Sequence, residues 1–149
     1  FGIEAQRILR LEKGHIIVGQ DTDAMSNPNE VQMSWAVSRQ KPFFIGSRTI
    51  SELEKQPVSR TLVGFQIDDK SAPIPQESHL VLSENQMVGR VTSCCYSPTL
   101  EEVIGLAYVP PEIASEGDSI IIKSTNGVLV AATVTKVPFY DPDAKRQEL

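Results

Sequence analysis

Residues 60–69 read Arg-Thr-Leu-Val-Gly-Phe-Gln-Ile-Asp-Asp, and the period of this stretch decides the fold. Thr61, Val63, Phe65 and Ile67 alternate with Leu62, Gly64, Gln66 and Asp68. A repeat of two places one set of side chains on each face of a strand, so the pattern predicts a β-strand with one buried face. Similar short runs follow at His79–Leu82, Met87–Tyr96, Val103–Val109, Ser119–Ser124 and Val128–Val137. Turn formers separate them at Pro73–Pro75, Ser83–Asn85, Pro110-Pro111, Glu116-Gly117-Asp118 and Asn126-Gly127. Short strands with regular turns predict a small antiparallel barrel or sandwich. Asn126-Gly127 is expected to form a two-residue type I′ hairpin, because that turn needs positive φ at both central positions.

Upstream of the proline in Lys55–Ser59 the period changes. Ile3, Ala5, Ile8, Leu9 and Glu12 fit a helix over Gly2–Glu12; an apolar strand is expected at His15–Gly19, and a second short one around Ser34–Ser38. A further helix should follow Phe44-Ile45-Gly46, capped by Ser47, with Ile50 and Leu53 as its buried stripe. The whole is an α+β chain. A frayed tail is expected over Asp143–Leu149. Phe1 is not a methionine and runs into the first helix without a capping side chain, which suggests a chain cut from something longer.

At 149 residues the chain can bury a sizeable core without metal or disulfide staples. Its net charge of −5, with no long run of like charge, argues against nucleic acid. No apolar stretch approaches the roughly 20 residues that span a bilayer, and no secretory leader opens the chain. Cys94 and Cys95 are adjacent, so a bridge between them would be strained; a reduced, cytoplasmic setting is expected, with one cysteine in the core and one outside.

Few constellations could carry chemistry. Asp21 and Asp23 imitate the start of a calcium loop, but Met25 stands where a third oxygen is needed, so they are expected to bond backbone amides in a turn. His15 and His79 have no partner at metal-ligand spacing, and nucleophile-elbow, dinucleotide and phosphate-loop motifs are missing. The pairs Glu101-Glu102, Asp68-Asp69 and Glu52/Glu54 diverge on any regular element and read as solvated faces. Trp35 and Tyr140 could each stack a flat ring; a core or boundary role is expected first for Trp35, and a loop position for Tyr140.

Taken in order, the segments FGIEA, LRLEKG, IIVGQDTD, NPNEVQMSWAV, KPFFIG, RTLVGFQIDD, VGRVTS, SPTLEEVIGLAYV and VTKVPFYDP resemble the C-terminal part of the tetrahydrofolate-dependent aminomethyltransferase (glycine-cleavage T-protein) family. The likeness covers essentially the whole chain. Within the family, FGIEA, IIVGQDTD and KPFFIGSR look more like the alpha subunit of heterotetrameric sarcosine oxidase than the stand-alone enzyme. The resemblance implies that residues 1–57 end a folate-binding domain and that 58–149 form a separate C-terminal β-barrel. It also implies a four-subunit flavoenzyme in which flavin and NAD sit elsewhere. The iminium formed from sarcosine would be captured by tetrahydrofolate to give 5,10-methylenetetrahydrofolate and glycine. A short-lived iminium gains from a folate nitrogen held close and from exclusion of water, and a carboxylate would stabilise the cation. In the family that acid lies upstream, so this chain is expected to be catalytically incomplete.

Residue by residue the resemblance implies little. A substrate-binding arginine of the aminomethyltransferases falls at Gln6 here, a departure that favours the oxidase branch. Glu4 could face the folate site or solvent, and Tyr140 of PFYDP could close over the folate. Arg10 and Glu12 are expected to form an ion pair holding helix to barrel. The expected partners are the remainder of the alpha subunit and the other oxidase subunits. A stand-alone aminomethyltransferase and a non-catalytic subunit-interaction module are the alternatives. An exposed apolar patch is expected on the first region, where the rest should pack.

Overall fold

In the computed structural model, which describes residues 2–148, the period-two segments close into a six-stranded antiparallel barrel. Phe1, whose reading as a cut end was drawn from sequence, lies outside the described residues, as does Leu149. The strands are β1 (Thr61–Ile67), β2 (Leu80–Ser83), β3 (Gln86–Ser97), β4 (Glu102–Val109), β5 (Ser119–Lys123) and β6 (Leu129–Thr135), and their order around the barrel is β1-β4-β3-β2-β5-β6. Closure gives each strand a neighbour on both sides, which settles the choice between barrel and sandwich.

Val63, Phe65 and Ile67 point inward with Val81, Val91, Val109, Ile120, Ile122 and Val134. Phe65 is fully buried and pairs directly with Gly105; a Cβ at Gly105 would come within 2.3 Å of the Phe65 ring. The glycine is there because the ring lies on its backbone.

The expectation of a single buried face for β1 needs correction. Leu62, Ile104, Leu106 and Tyr108, on the outer faces of β1 and β4, are also buried, in a second cluster with Leu11. Helix α1 (Ile3–Glu12) and the loop after it cover this wall, so the barrel is solvated on only part of its circumference. The two cysteines divide as expected: Cys94 packs toward the barrel core and Cys95 toward the outer cluster, both as free thiols.

Other local expectations shift. His15–Gly19 forms no strand: the Asp21 amide donates to the Ile17 carbonyl and only an isolated bridge, Val18 to Thr22, occurs there. Ser34–Ala36 is a 3-10 turn rather than a strand. Helix α2 (Ser47–Leu53) forms, but its N-cap is Gly46 at φ 91°, without a side-chain cap, and Ile50 and Leu53 are only half-buried. Asn126 and Gly127 do adopt positive φ, yet the strands end at the Lys123–Leu129 pair, so the connection is longer than two residues. The tight two-residue hairpin joins β2 to β3, where Glu84 and Asn85 have φ 49° and 63° inside the Ser83–Gln86 pair. The tail makes a short 3-10 turn, Lys145–Gln147, whose first amides are capped by the Asp141 carboxylate.

Candidate functional site

The site grows from a gap in the barrel wall. Strand β1 pairs with β4 along its whole length but with β6 only over Gly64–Gln66. The first half of β1 therefore has backbone groups to spare, and a buried strand cannot leave them unpaired. The upstream loop supplies the partners: the Leu62 amide donates to the Glu30 carbonyl at 2.7 Å, and Gln32 Nε2 donates to the Leu62 carbonyl at 2.9 Å. A cleft of about 560 Å³ opens beside this junction, inside the size range of small-molecule sites. Its floor is Ile16, Leu62, Leu106 and Val137; Met33 and Trp35 line one side, Lys13 and His15 another.

Three devices hold the walls. The first fixes α1 and the loop after it. Between Val91 and Ser93 the pairing of β3 with β4 slips by one residue, and this bulge turns both Thr92 and Ser93 toward Asp21. The fully buried Asp21 carboxylate accepts from both hydroxyls, from the Ile17 amide at 2.8 Å and from Arg10 Nη1 at 2.6 Å. Arg10 also donates to Ser93 Oγ and to the His15 carbonyl. The expected Arg10–Glu12 pair does not form: two residues apart on a helix they diverge. Glu12 instead accepts from the Ser97 hydroxyl at 2.6 Å, so each residue ties the helix to β3 separately.

The second device holds the loop over residues 23–33. Asp23 accepts from the Met25 amide and the Ser26 hydroxyl, and Arg60 lies between Asp23 and Glu30 while stacking 4.4 Å above the Tyr108 ring. The Arg60 guanidinium first, and the Ser26 hydroxyl after it, hold the Asp23 carboxyl down to about 2. The amide bonds in the turn match the expectation for Asp23; Asp21 spends most of its capacity on side chains instead.

The third is a strap formed by residues 136–141. Val137 slots between Gly14 and Gly64, where a Cβ would come within 2.9 Å and 2.7 Å of it. The Tyr140 amide donates to the Glu12 carbonyl, and Lys13 Nζ donates to the Asp141 carbonyl at 2.7 Å. The strap thereby closes one end of the cleft.

The residues singled out in the sequence are not gathered here. Glu4 and Gln6 are exposed on α1, with Glu4 facing Arg7 at 3.6 Å. Tyr140 is half-buried at the opposite end of the helix, about 12 Å along the axis from Glu4. Trp35 departs from the core or boundary role expected of it: it is 80 % exposed at the cleft. The wall residues Gln32, Met33 and Val137 stand inside the quoted segments NPNEVQMSWAV and VTKVPFYDP, but nothing there marked them individually, since each is an ordinary residue whose place depends on a contact across the fold.

The cleft suits the flat, apolar body of a ring ligand, with an indole on which to stack. It offers no carboxylate: neither Asp nor Glu lines it among the described residues. No group of three or more His, Cys, Asp or Glu placed to hold a metal occurs among them either, and no helix is long and apolar enough to cross a membrane.

Residues 60–141 match the family described as the glycine cleavage T-protein C-terminal barrel domain, and residues 1–41 match the GCVT N-terminal domain. The aminomethyltransferase of Halothermothrix orenii is 38 % identical over 138 residues, covering 93 % of this chain and 38 % of that protein. That of Thermotoga maritima is 36 % identical over 146 residues, covering 98 % and 39 %. A crystal structure of glycine cleavage system aminomethyltransferase T from Bartonella henselae superposes with a TM-score of 0.83 at 27 % identity, over 93 % of this chain and 38 % of that one. The chain thus spans about two fifths of the length of the curated relatives it matches.

Proposed function

The chain belongs to the glycine cleavage T-protein family, and from that premise we propose that it is the C-terminal, folate-side part of an enzyme that loads a one-carbon unit onto tetrahydrofolate. The observation that carries the proposal is the cleft at the seam of the two matched stretches, walled by residues of both. In this reading residues 1–57 end the folate-binding domain and 58–149 are the barrel that backs it.

Tetrahydrofolate supplies the nucleophilic nitrogens that take up the carbon. The residues of this chain bind and shield. Trp35 offers a face for a ring, the floor of Ile16, Leu62 and Leu106 keeps water from it, and the strap through Val137 closes the end. Excluding water matters because the activated carbon is an iminium-like electrophile that hydrolyses. In this reading the acid that would pair with the ring or stabilise the cation lies outside this chain, as the family resemblance implies; no Asp or Glu lines the cleft among the described residues. Glu4, Gln6 and Tyr140 line no part of the cleft, so their proposed contacts with the folate would be made outside it, by Glu4 and Gln6 from diverging faces of α1 and by Tyr140 from the strap.

We assign the parent to the oxidase branch, as the alpha subunit of a cytoplasmic sarcosine oxidase with flavin and NAD bound elsewhere and the other oxidase subunits as partners. The ground is Gln6 in place of the aminomethyltransferase arginine. A stand-alone aminomethyltransferase is the second reading, favoured by the relatives named above. The product of the complete gene decides between them. Co-purified flavin that sarcosine bleaches, with methylenetetrahydrofolate formed at the expense of free formaldehyde, supports the oxidase. Protein without flavin that restores glycine cleavage with the other components of that system sinks it. Unchanged folate affinity in Glu4→Ala and Tyr140→Phe would remove those two residues from the site.

A further inference from the structure

Gln32 carries a strained backbone at the edge of the cleft. Its φ is 56°, in the left-handed region, which a residue with a Cβ enters only at a cost. Such conformations persist where the surroundings over-determine them, and they cluster at functional sites. Gln32 is exposed, so burial is not what holds it.

The hydrogen bonds around it supply the reason. The Leu62 amide donates to the Glu30 carbonyl, which is one half of a parallel bridge between Val31 and Leu62, two residues that share the outer apolar cluster. The other half would run from the Gln32 amide to the Leu62 carbonyl, but that amide turns away to the Asn29 carbonyl. Gln32 Nε2 takes its place at 2.9 Å. The side chain thus completes the bridge that the main chain abandons. The main chain is then free to turn, and it sets Trp35 at the cleft in the 3-10 turn that follows.

Bonds further along the chain do not share this task. The Met33 amide and the Ser34 hydroxyl bind Pro28 and Asn29, closing the turn upon itself. Among the described residues no hydrogen bond joins residues 33–59 to the barrel, so the Gln32 side chain is the last tie to β1 ahead of Trp35. Gln32 is a partition as well. With Gly64 and Val137 it lines both the cleft and a second hollow of about 210 Å³, which Glu116 and Lys136 border.

We infer that Gln32 is a positioning residue for ligand binding: its side-chain amide, standing in for a backbone amide, holds Trp35 at the cleft and keeps the cleft apart from the hollow behind. The inference rests on the reading of the cleft as a folate site. A ring left unheld loses about the worth of one aromatic stacking contact, a roughly three- to ten-fold weakening. The contact is made before and during reaction alike, so KM for tetrahydrofolate should rise while kcat holds.

The test uses the product of the complete gene and 5-formyltetrahydrofolate, a folate that resists oxidation, in equilibrium dialysis. Gln32→Met keeps the length of the side chain and loses the donor; Gln32→Glu turns an acceptor on the Leu62 carbonyl; Gln32→Lys restores a donor. The first two should raise Kd about three- to ten-fold and the third should recover most of the loss. Gln32→Gly trades the bond for relief of the strained φ, so it should weaken binding without lowering the urea midpoint. In a Trp35→Leu background Gln32→Met should add nothing, because it acts through the ring. An unchanged Kd in Gln32→Met and Gln32→Glu, an effect that persists without Trp35, or a midpoint that falls in step with affinity would each overturn the assignment. A readout without ligand separates this inference from the folate reading. In protein labelled with 5-fluorotryptophan, the fluorine line of Trp35, identified by its loss in Trp35→Phe, should shift or broaden in Gln32→Met; an unmoved line refutes the positioning. A line that moves in a protein that binds no 5-formyltetrahydrofolate would sink the folate reading alone.

Discussion

Asp21 offers the sharpest stability test. Its carboxylate is fully buried, and it accepts from Arg10, the Ile17 amide and the Thr92 and Ser93 hydroxyls at once. Asp21→Ala removes a charge while leaving the part-buried Arg10 guanidinium behind, and breaking a buried pair on one side costs about 3–5 kcal/mol. That is a large share of the ~5–15 kcal/mol that holds a domain of this kind together. Asp21→Asn keeps the shape and one oxygen to accept from the Thr92 and Ser93 hydroxyls but loses the charge and the second acceptor, which served Arg10 and the Ile17 amide, and should cost about 1.5–3 kcal/mol. Arg10→Met leaves the buried carboxylate without its counter-charge, with only the Ile17 amide and the Thr92 and Ser93 hydroxyls to hold it, and is expected to be as damaging as Asp21→Ala. The double variant Arg10→Met/Asp21→Ala removes both charges, so it should fall short of the summed singles by ~1–3 kcal/mol. Urea unfolding followed by far-ultraviolet circular dichroism measures all four. If Asp21→Ala unfolds within ~1 kcal/mol of the parent chain, or the cycle closes additively, the claim that this node pins α1 to the barrel fails.

Three further outcomes follow from other sites. Gly105→Ala puts a methyl where the Phe65 ring lies, 2.3 Å away, and should destabilise by about 1–3 kcal/mol, read as a lowered urea midpoint with an unchanged slope; no change would mean that the ring can move aside. The Asp23 carboxyl is held down to about 2 by Arg60 and Ser26, a depressed value, so its contribution is present above the ordinary carboxylate range and is lost as the pH falls toward 2. A carbon-detected titration should place its midpoint near 2 in the parent and higher in Arg60→Met; an ordinary midpoint in the parent would refute the network. Burial pushes the Cys95 thiol up to about 11 and Cys94 higher still, so both should alkylate slowly in the folded chain at neutral pH and rapidly in urea; fast labelling of either when folded would contradict the packing.

The barrel was legible because its signal is local. Thr61–Ile67 alternates whatever surrounds it, and the other runs announce themselves in the same way, with ends wrong by a residue or two. The hairpins show where local reasoning stops. Asn126-Gly127 has the better turn sequence, yet the two-residue connection belongs to Glu84-Asn85, because the paired strands β2 and β3 fix the loop length and the turn residues follow. His15–Gly19 failed as a strand for a related reason: only Ile16 packs on the barrel wall, Val18 stays exposed, and Asp21 folds the segment into a turn.

By itself, then, the sequence determined the α+β class, the six strands, the change of period ahead of residue 60 and, through its ordered motifs, the family. It had no means of placing the cleft. That site depends on where β6 leaves β1, on a bulge that turns Thr92 and Ser93 toward one carboxylate, and on Val137 reaching a slot between Gly14 and Gly64. Each is a contact between residues far apart in the chain, which no period or spacing encodes. The stretches RLEKG and PFYDP illustrate the division. They were recognisable as family motifs, but only the fold shows that Arg10 binds Asp21 instead of Glu12 and that the Tyr140 amide fastens the strap to the end of α1. Local periodicity sets which segments are strands or helices; the pairing of distant buried polar groups, each of which must find a partner once water is gone, sets how those segments meet.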